Sequence, residues 1–171
     1  MYEYIKEQLE STFKSVLVTI VEDTRIVVNV KKDHALVVLR FLKDIRFDHL
    51  SLISCVDWIE EKQFELVYIL AGYMQSDEEY AGWEKLHLIV KTRIPREEPL
   101  FETVAGVFSN AEPYEREIHE LFGIKFEGHK RLTPLFLERD YEIPPFRKDF
   151  DTRKYVKDVF DKIPSIEIKN K

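Results

Sequence analysis

The stretch Glu112-Pro113-Tyr114-Glu115-Arg116-Glu117-Ile118-His119-Glu120-Leu121-Phe122-Gly123 constrains the fold more than any other. Proline at the first helical position gives up an N–H that has no intrahelical partner anyway. Glu115 and Glu117 then fall in the first turn, where carboxylates favour the positive end of the helix dipole. Gly123 follows as a left-handed cap. Tyr114, Ile118, Leu121 and Phe122 are spaced i, i+4, i+7 and i+8 and make one apolar stripe; the opposite face carries Glu115, Arg116, His119 and Glu120. All five glycines lie at or before Gly128, whereas four of the seven prolines lie beyond it. A chain without glycine and rich in proline is stiff and extended. The helix is therefore expected to join a compact body, residues 1–128, to an extended strap, residues 129–171.

Within the body, Tyr2–Lys14 predicts a helix burying Tyr2, Ile5, Leu9 and Phe13. Val16–Val21 and Arg25–Val30 read as a hairpin punctuated by Glu22-Asp23-Thr24. Asp33 is placed to cap a second helix through about Lys43, burying Leu36, Leu39 and Phe41 or Leu42. Three strands follow as a meander, Leu50–Ile59, Phe64–Tyr73 and Trp83–Ile94, with Asp77-Glu78-Glu79-Tyr80 as an acidic hairpin loop. Pro95 and Pro99 stop the sheet, and Leu100, Phe101, Val104, Val107 and Phe108 describe a third helix. The order predicts an α+β fold: a compact antiparallel sheet with helices on one side, then an extended C-terminal tail. In that tail Phe136, Tyr141, Phe146, Phe150, Tyr155 and Phe160 recur every four or five residues, as anchors either on the chain's own body or on a partner.

Charge and cysteine content narrow the function. Residues 1–128 hold 15 Lys+Arg against 24 Asp+Glu, and residues 129–171 hold 11 against 8. An acidic body argues against nucleic acid as a partner. Cys55, the only cysteine, leaves no disulfide framework and no thiolate-held iron–sulfur cluster; it reads as a small buried hydrophobe. The longest charge-free run is 11 residues, Leu66–Ser76, short of the ~20 a spanning helix requires. The charged start Met1–Lys6 lacks a signal-peptide pattern. These features lead to the expectation of a soluble or peripheral protein, without direct membrane insertion, in a reducing compartment. Few Asn, Gln, Met and Cys beside 34% charged residues lean towards a thermophilic source.

Catalytic motifs are missing. No glycine-rich phosphate loop is present, and no serine or cysteine sits in a nucleophile motif. His119-Glu120-Leu121-Phe122-Gly123 begins like a zincin motif but has Gly123 where the second histidine belongs. Glu115, His119 and His129 remain open to two readings: three ligands of a metal-dependent enzyme, or a solvated helix face with an i,i+4 ion pair between the first two.

The run from Glu115 through His129 and the segment Phe146-Arg147-Lys148-Asp149-Phe150 resemble the signature of the 30 kDa-type subunit of NADH:quinone oxidoreductase, respiratory complex I. The same family supplies a subunit to energy-converting membrane-bound nickel–iron hydrogenases and related archaeal complexes. Phe47-Asp48-His49-Leu50, Val56-Asp57 and Val67-Tyr68 fit the family's first half. Departures at Glu112-Pro113, His119-Glu120, Lys130 and Asp151 weaken the resemblance to complex I proper, and the thermophile-like composition fits a hydrogenase-type or other archaeal branch better. The end at Lys171 leads to the expectation of a separate subunit and not the form fused to the large subunit.

The resemblance implies a non-catalytic, cofactor-free subunit on the cytoplasmic side of the membrane. Its implied partners are a hydrogenase-like large subunit and the iron–sulfur subunits of a complex coupled to ion translocation. Glu115, Arg116, Glu117, His129, Phe146, Arg147, Lys148, Asp149 and Phe150 are the interface residues it implies. Arg116, Arg147 and Lys148 would make charged contacts within or across that interface.

Overall fold

The computed structural model describes residues 2–22, 24–72, 86–137 and 141–159. Along the chain come α1 (Tyr2–Thr12), β1 (Val16–Glu22), β2 (Arg25–Val30), α2 (Lys32–Asp44), β3 (His49–Trp58) and β4 (Gln63–Ala71). Then follow β5 (His87–Pro95), β6 (Leu100–Glu102), α3 (Ala111–Phe122), β7 (Lys125–Glu127) and α4 (Thr152–Val159). The expected acidic loop at Asp77–Tyr80, the expected strand ends at Tyr73 and Trp83, and the anchor Phe160 lie outside the described residues.

The α+β class holds. Five strands form one sheet in the order β1-β2-β5-β4-β3, and β6 and β7 form a small second one. The β1–β2 hairpin and the β3–β4–β5 meander are antiparallel as expected. One pair, β2 with β5, is parallel, so the sheet is mixed. The cause is α2, which crosses over the sheet and restarts β3 in the direction of β2; two reversals later β5 again runs that way.

Alternation sets which face is buried. Phe64, Leu66, Tyr68 and Leu70 of β4, and Leu88, Val90 and Ile94 of β5, point into one core. On β3 a bulge between Leu50 and Leu52 shifts the parity, so Ile53, Cys55 and Asp57 join Leu50 on the inner face. Ile5 and Leu9 of α1, Val38, Leu39 and Leu42 of α2, and Ile118, Leu121 and Phe122 of α3 cover that face. Each such residue taken from water contributes about 1.5–3 kcal/mol before entropy is counted. Every buried apolar residue lies between Ile5 and Phe126, among the described residues.

Four local expectations change. Residues 100–108 are not a helix: Leu100–Glu102 pair in parallel with Lys125–Glu127, and a turn then buries Val104, Val107 and Phe108. A turn after a one-sided strand reproduces the spacing of a helical stripe. α2 starts at Lys32 with Lys31 as its N-cap, which leaves Asp33 in the first turn as a charge on the dipole and not as the cap. α3 starts two residues before Pro113, from Asn110, whose side-chain amide donates to the Leu50 carbonyl (2.8 Å). The stiff-tail reading also passes over α4, whose first turn is capped by Asp151: its Oδ1 accepts the N–H of Arg153 (2.9 Å) and of Lys154 (3.0 Å).

Candidate functional site

The two motifs fall on one side of the body, where α3 and the tail meet. Gly123 ends α3 at φ +80°, as its cap role requires, and its N–H donates to the His119 carbonyl at 2.8 Å. Glycine is needed there for a second reason: a Cβ would stand 3.0 Å from Cγ of Pro144 in the tail.

The polar residues of α3 divide the work. Glu115 is fully buried, so the expected solvated face is wrong at this position, and the residue cannot itself touch a partner. Its Oε2 accepts the Thr103 hydroxyl at 2.5 Å and its Oε1 the Val104 N–H at 2.7 Å, which fixes the turn after β6. Burial raises the Glu115 pKa; these two hydrogen bonds and the charge interaction with His129 only partly offset it. Arg116 reaches the tail, donating from Nε to the Thr133 carbonyl and from Nη2 to that of Pro134, both at 2.9 Å. Glu120 accepts the N–H groups of Leu135 (2.7 Å), Phe136 (2.9 Å) and Leu137 (3.3 Å), a carboxylate seated in a nest of backbone donors. Glu117 makes no hydrogen bond or ion pair among the described residues.

The histidines are spent on backbone. His119 donates from Nδ1 to the Ile124 carbonyl at 2.8 Å. His129 Nδ1 accepts the Arg131 N–H at 3.1 Å, and its Nε2 donates to the Glu112 carbonyl at 3.2 Å. Its Nε2 is 4.0 Å from Glu115. Neither the three-ligand set nor the Glu115–His119 ion pair is formed. The described residues contain no group of three or more His, Cys, Asp or Glu placed to hold a metal.

The Phe146–Phe150 motif is held by a pair that sequence reasoning missed. Asp57, inward-facing at the end of β3, takes two hydrogen bonds from Arg96, at 2.9 and 3.1 Å, and one from the Lys148 N–H at 2.9 Å. Arg96 also donates to Asp149 at 2.6 Å. Burial pushes Asp57 up, but the Arg96 and Lys148 hydrogen bonds outweigh it and hold the carboxyl below its usual range. Asp149 is lowered as well, first by its hydrogen bond from Arg96 and then by Arg147. The signal in the sequence was Ile53-x-Cys55-x-Asp57, a charge at an inward position that needs a cation.

Around this latch the motif's own side chains diverge. Arg147 lies over the Phe64 ring (5.8 Å) and pairs with Asp149 (3.3 Å). Phe150 turns into a small cluster with Tyr141 and Tyr155, at centroid distances of 5.9 and 5.6 Å. The Lys148 ammonium sits over Trp58 at 6.0 Å. Phe146 touches Phe122 edge-on, 5.9 Å between centroids, yet stays 60% exposed; Phe136 is 66% exposed. Cys55 is buried, and that burial pushes its thiol pKa well up.

Residues 28–156 match the family described as respiratory-chain NADH dehydrogenase, 30 Kd subunit. The chain is 40% identical over 129 residues to a subunit of F(420)H(2) dehydrogenase from Methanosarcina mazei, covering 74% of this chain and 76% of that one. Among solved structures it is similar to a chain of the membrane-bound sulfane sulfur reductase, an archaeal respiratory membrane complex. That match has a TM-score of 0.81 and 31% identity, over 95% of this chain and 92% of the other. It also resembles a trypsin-resistant fragment, residues 1–134, of Nqo5. There the TM-score is 0.63 and the identity 25%, over 77% of this chain and all of the fragment.

Proposed function

The chain belongs to the family of the 30 kDa subunit of respiratory-chain NADH dehydrogenase, and we propose that its tail docks a hydrogenase-like large subunit. It is a subunit of a complex I-type or related archaeal membrane complex, with the other subunits of that complex as partners. No described helix is long and apolar enough to cross a membrane. In the proposed reading the chain sits on the cytoplasmic side and carries no redox group of its own. The iron–sulfur clusters, and the coupling to ion translocation, belong to neighbouring subunits. The F(420)H(2) dehydrogenase and sulfane sulfur reductase relatives favour the archaeal branch; the corresponding 30 kDa-type subunit of complex I proper is the alternative.

One observation carries the docking proposal. The tail is fixed to the body at two places, Arg116–Glu120 and Asp57–Arg96, yet it presents Phe136 and Phe146 largely to solvent. Large aromatics presented from a backbone that is already fixed suit an interface, because less chain entropy remains to be lost. Phe146 and Phe136 are thus the anchors, with Lys148 beside them. Arg147 and Phe150 act by holding the motif in shape.

Truncation after Gly128 tests this. Every buried apolar residue among those described precedes the cut, and a relative yields a trypsin-resistant fragment of similar extent. The expected result is a folded body by circular dichroism that no longer co-purifies with other subunits. An unfolded product would assign the tail to the core. A folded product that still assembles would remove the docking role.

A further inference from the structure

Away from α3 and the tail, the open face of the sheet runs into a channel. Two adjoining hollows of about 510 and 590 Å³ share Ser15, Leu17 and Lys31. One lies on the sheet face over Asn29 and Glu65; the other passes between the end of α1 and the start of α2, beside Phe13. Five cations line them, Lys14, Lys31, Lys32, Lys91 and Arg93, against one carboxylate, Glu65. Glu65 already pairs with Lys91 (3.4 Å) and Arg93 (3.2 Å), and Arg93 pairs with Glu61 as well. The side chains of Lys14, Lys31 and Lys32 have no such partner among the described residues. The channel is therefore a positive island on a body with nine more acidic than basic residues. At its saddle Leu17 is 63% exposed, an apolar step between the charged walls.

We propose that this channel is a second docking surface, occupied by an extended acidic segment of another subunit of the complex. An apolar residue of that segment rests on Leu17, and its carboxylates meet Lys14, Lys31 and Lys32. The inference rests on the reading of this chain as a subunit. Flexible lysines spaced along a rim suit carboxylates spaced along a peptide. A small free anion needs converging buried donors, which the channel lacks among the described residues, and a bilayer surface does not fit a concave wall. Charge complementarity of this kind sets partner choice and orientation.

The test uses the intact complex, purified through a tag on the full-length chain and treated with a zero-length carbodiimide, which joins an ammonium to a carboxylate in direct contact. The expected links run from Lys14, Lys31 or Lys32 to Asp or Glu residues within one short stretch of a single partner subunit. Lys31→Glu with Lys32→Glu should cut the remaining links to that stretch at least tenfold while the chain still co-purifies. Acidic residues at the start of α2 suit the helix dipole, so the variant keeps its fold. Co-purification with no such links, or links only within this chain, overturns the inference alone. Failure to co-purify with any subunit overturns the subunit reading and this inference with it. Binding of the isolated chain to phosphatidylglycerol vesicles, abolished in the double variant, would overturn it in favour of a lipid surface.

Discussion

Asp57→Asn puts the latch between tail and body to a quantitative test. The carboxylate side chain is 2% exposed and accepts three hydrogen bonds, two from Arg96 and one from the Lys148 N–H. Asparagine keeps the size but removes the charge, and turns one of the atoms facing these donors into a donor itself. Breaking a buried ion pair from one side costs about 3–5 kcal/mol. Arg96 retains Asp149 and is 13% exposed, so the lower end of that range applies. The expected loss is about 3 kcal/mol, or roughly 6–12 °C in melting temperature for a chain of this size. Urea denaturation followed by circular dichroism measures it. Hydrogen exchange at the Lys148 amide reports the latch separately, because that N–H loses its acceptor while the sheet amides keep theirs. A loss below about 0.5 kcal/mol, with Lys148 protection unchanged, would refute the latch.

Gly123→Val places a β-branched side chain at φ +80° and a Cβ 3.0 Å from Pro144; thermal melts should show more than the ~1 kcal/mol of an ordinary substitution. Gly106→Ala, with nothing within 4 Å of the added Cβ, should be close to neutral in the same assay. Acid stability has a definite sign. Asp57 and Asp149 are lowered, so their contribution is present above the ordinary carboxylate pKa of 3.8 and lost as pH falls through the depressed values. Glu115 is raised and works the other way, its contribution being full below the ordinary value and fading as pH rises through the raised one. Unfolding free energies measured on either side of about pH 4 should therefore fall towards acid in the wild type. They should fall less in Asp57→Asn; an identical slope would remove Asp57 from the account.

What could be read in advance follows from which interactions are local. The hairpin, the meander and α3 are each specified by alternation or by i,i+4 spacing within a dozen residues, and they form as expected. The parallel β2–β5 pair depends on where α2 crosses over, which no short window contains. The β6 strand looked helical because the turn that follows it buries Val104, Val107 and Phe108 at helix-like intervals. Counted from Leu50 the alternation points Asp57 outward, because the bulge at Leu50–Leu52 shifts the parity; only alternation counted from Ile53 and Cys55 places it inward. Its partner Arg96 lies 39 residues away, and the third member, Lys148, 91 residues away. The resemblance picked out Phe146–Phe150 as a unit without revealing that Lys148 and Asp149 join the tail to Asp57 and Arg96.

That division gives the two motifs a common physical meaning. α3 sends its apolar stripe and Glu115 inward, and uses Arg116 and Glu120 to grip tail backbone rather than tail side chains. Backbone recognition fixes the path of residues 133–137 while leaving the side chain of Phe136 free to vary. The latch at Asp57 works the same way, since it takes the N–H of Lys148 and leaves its ammonium outside. Both motifs therefore hold the tail's course and leave its outward side chains exposed. Substituting Phe136 or Phe146 should change partner affinity with little effect on the melting temperature, whereas substituting Arg116, Glu120 or Asp57 should lower both. The path must be held before the aromatics can be presented.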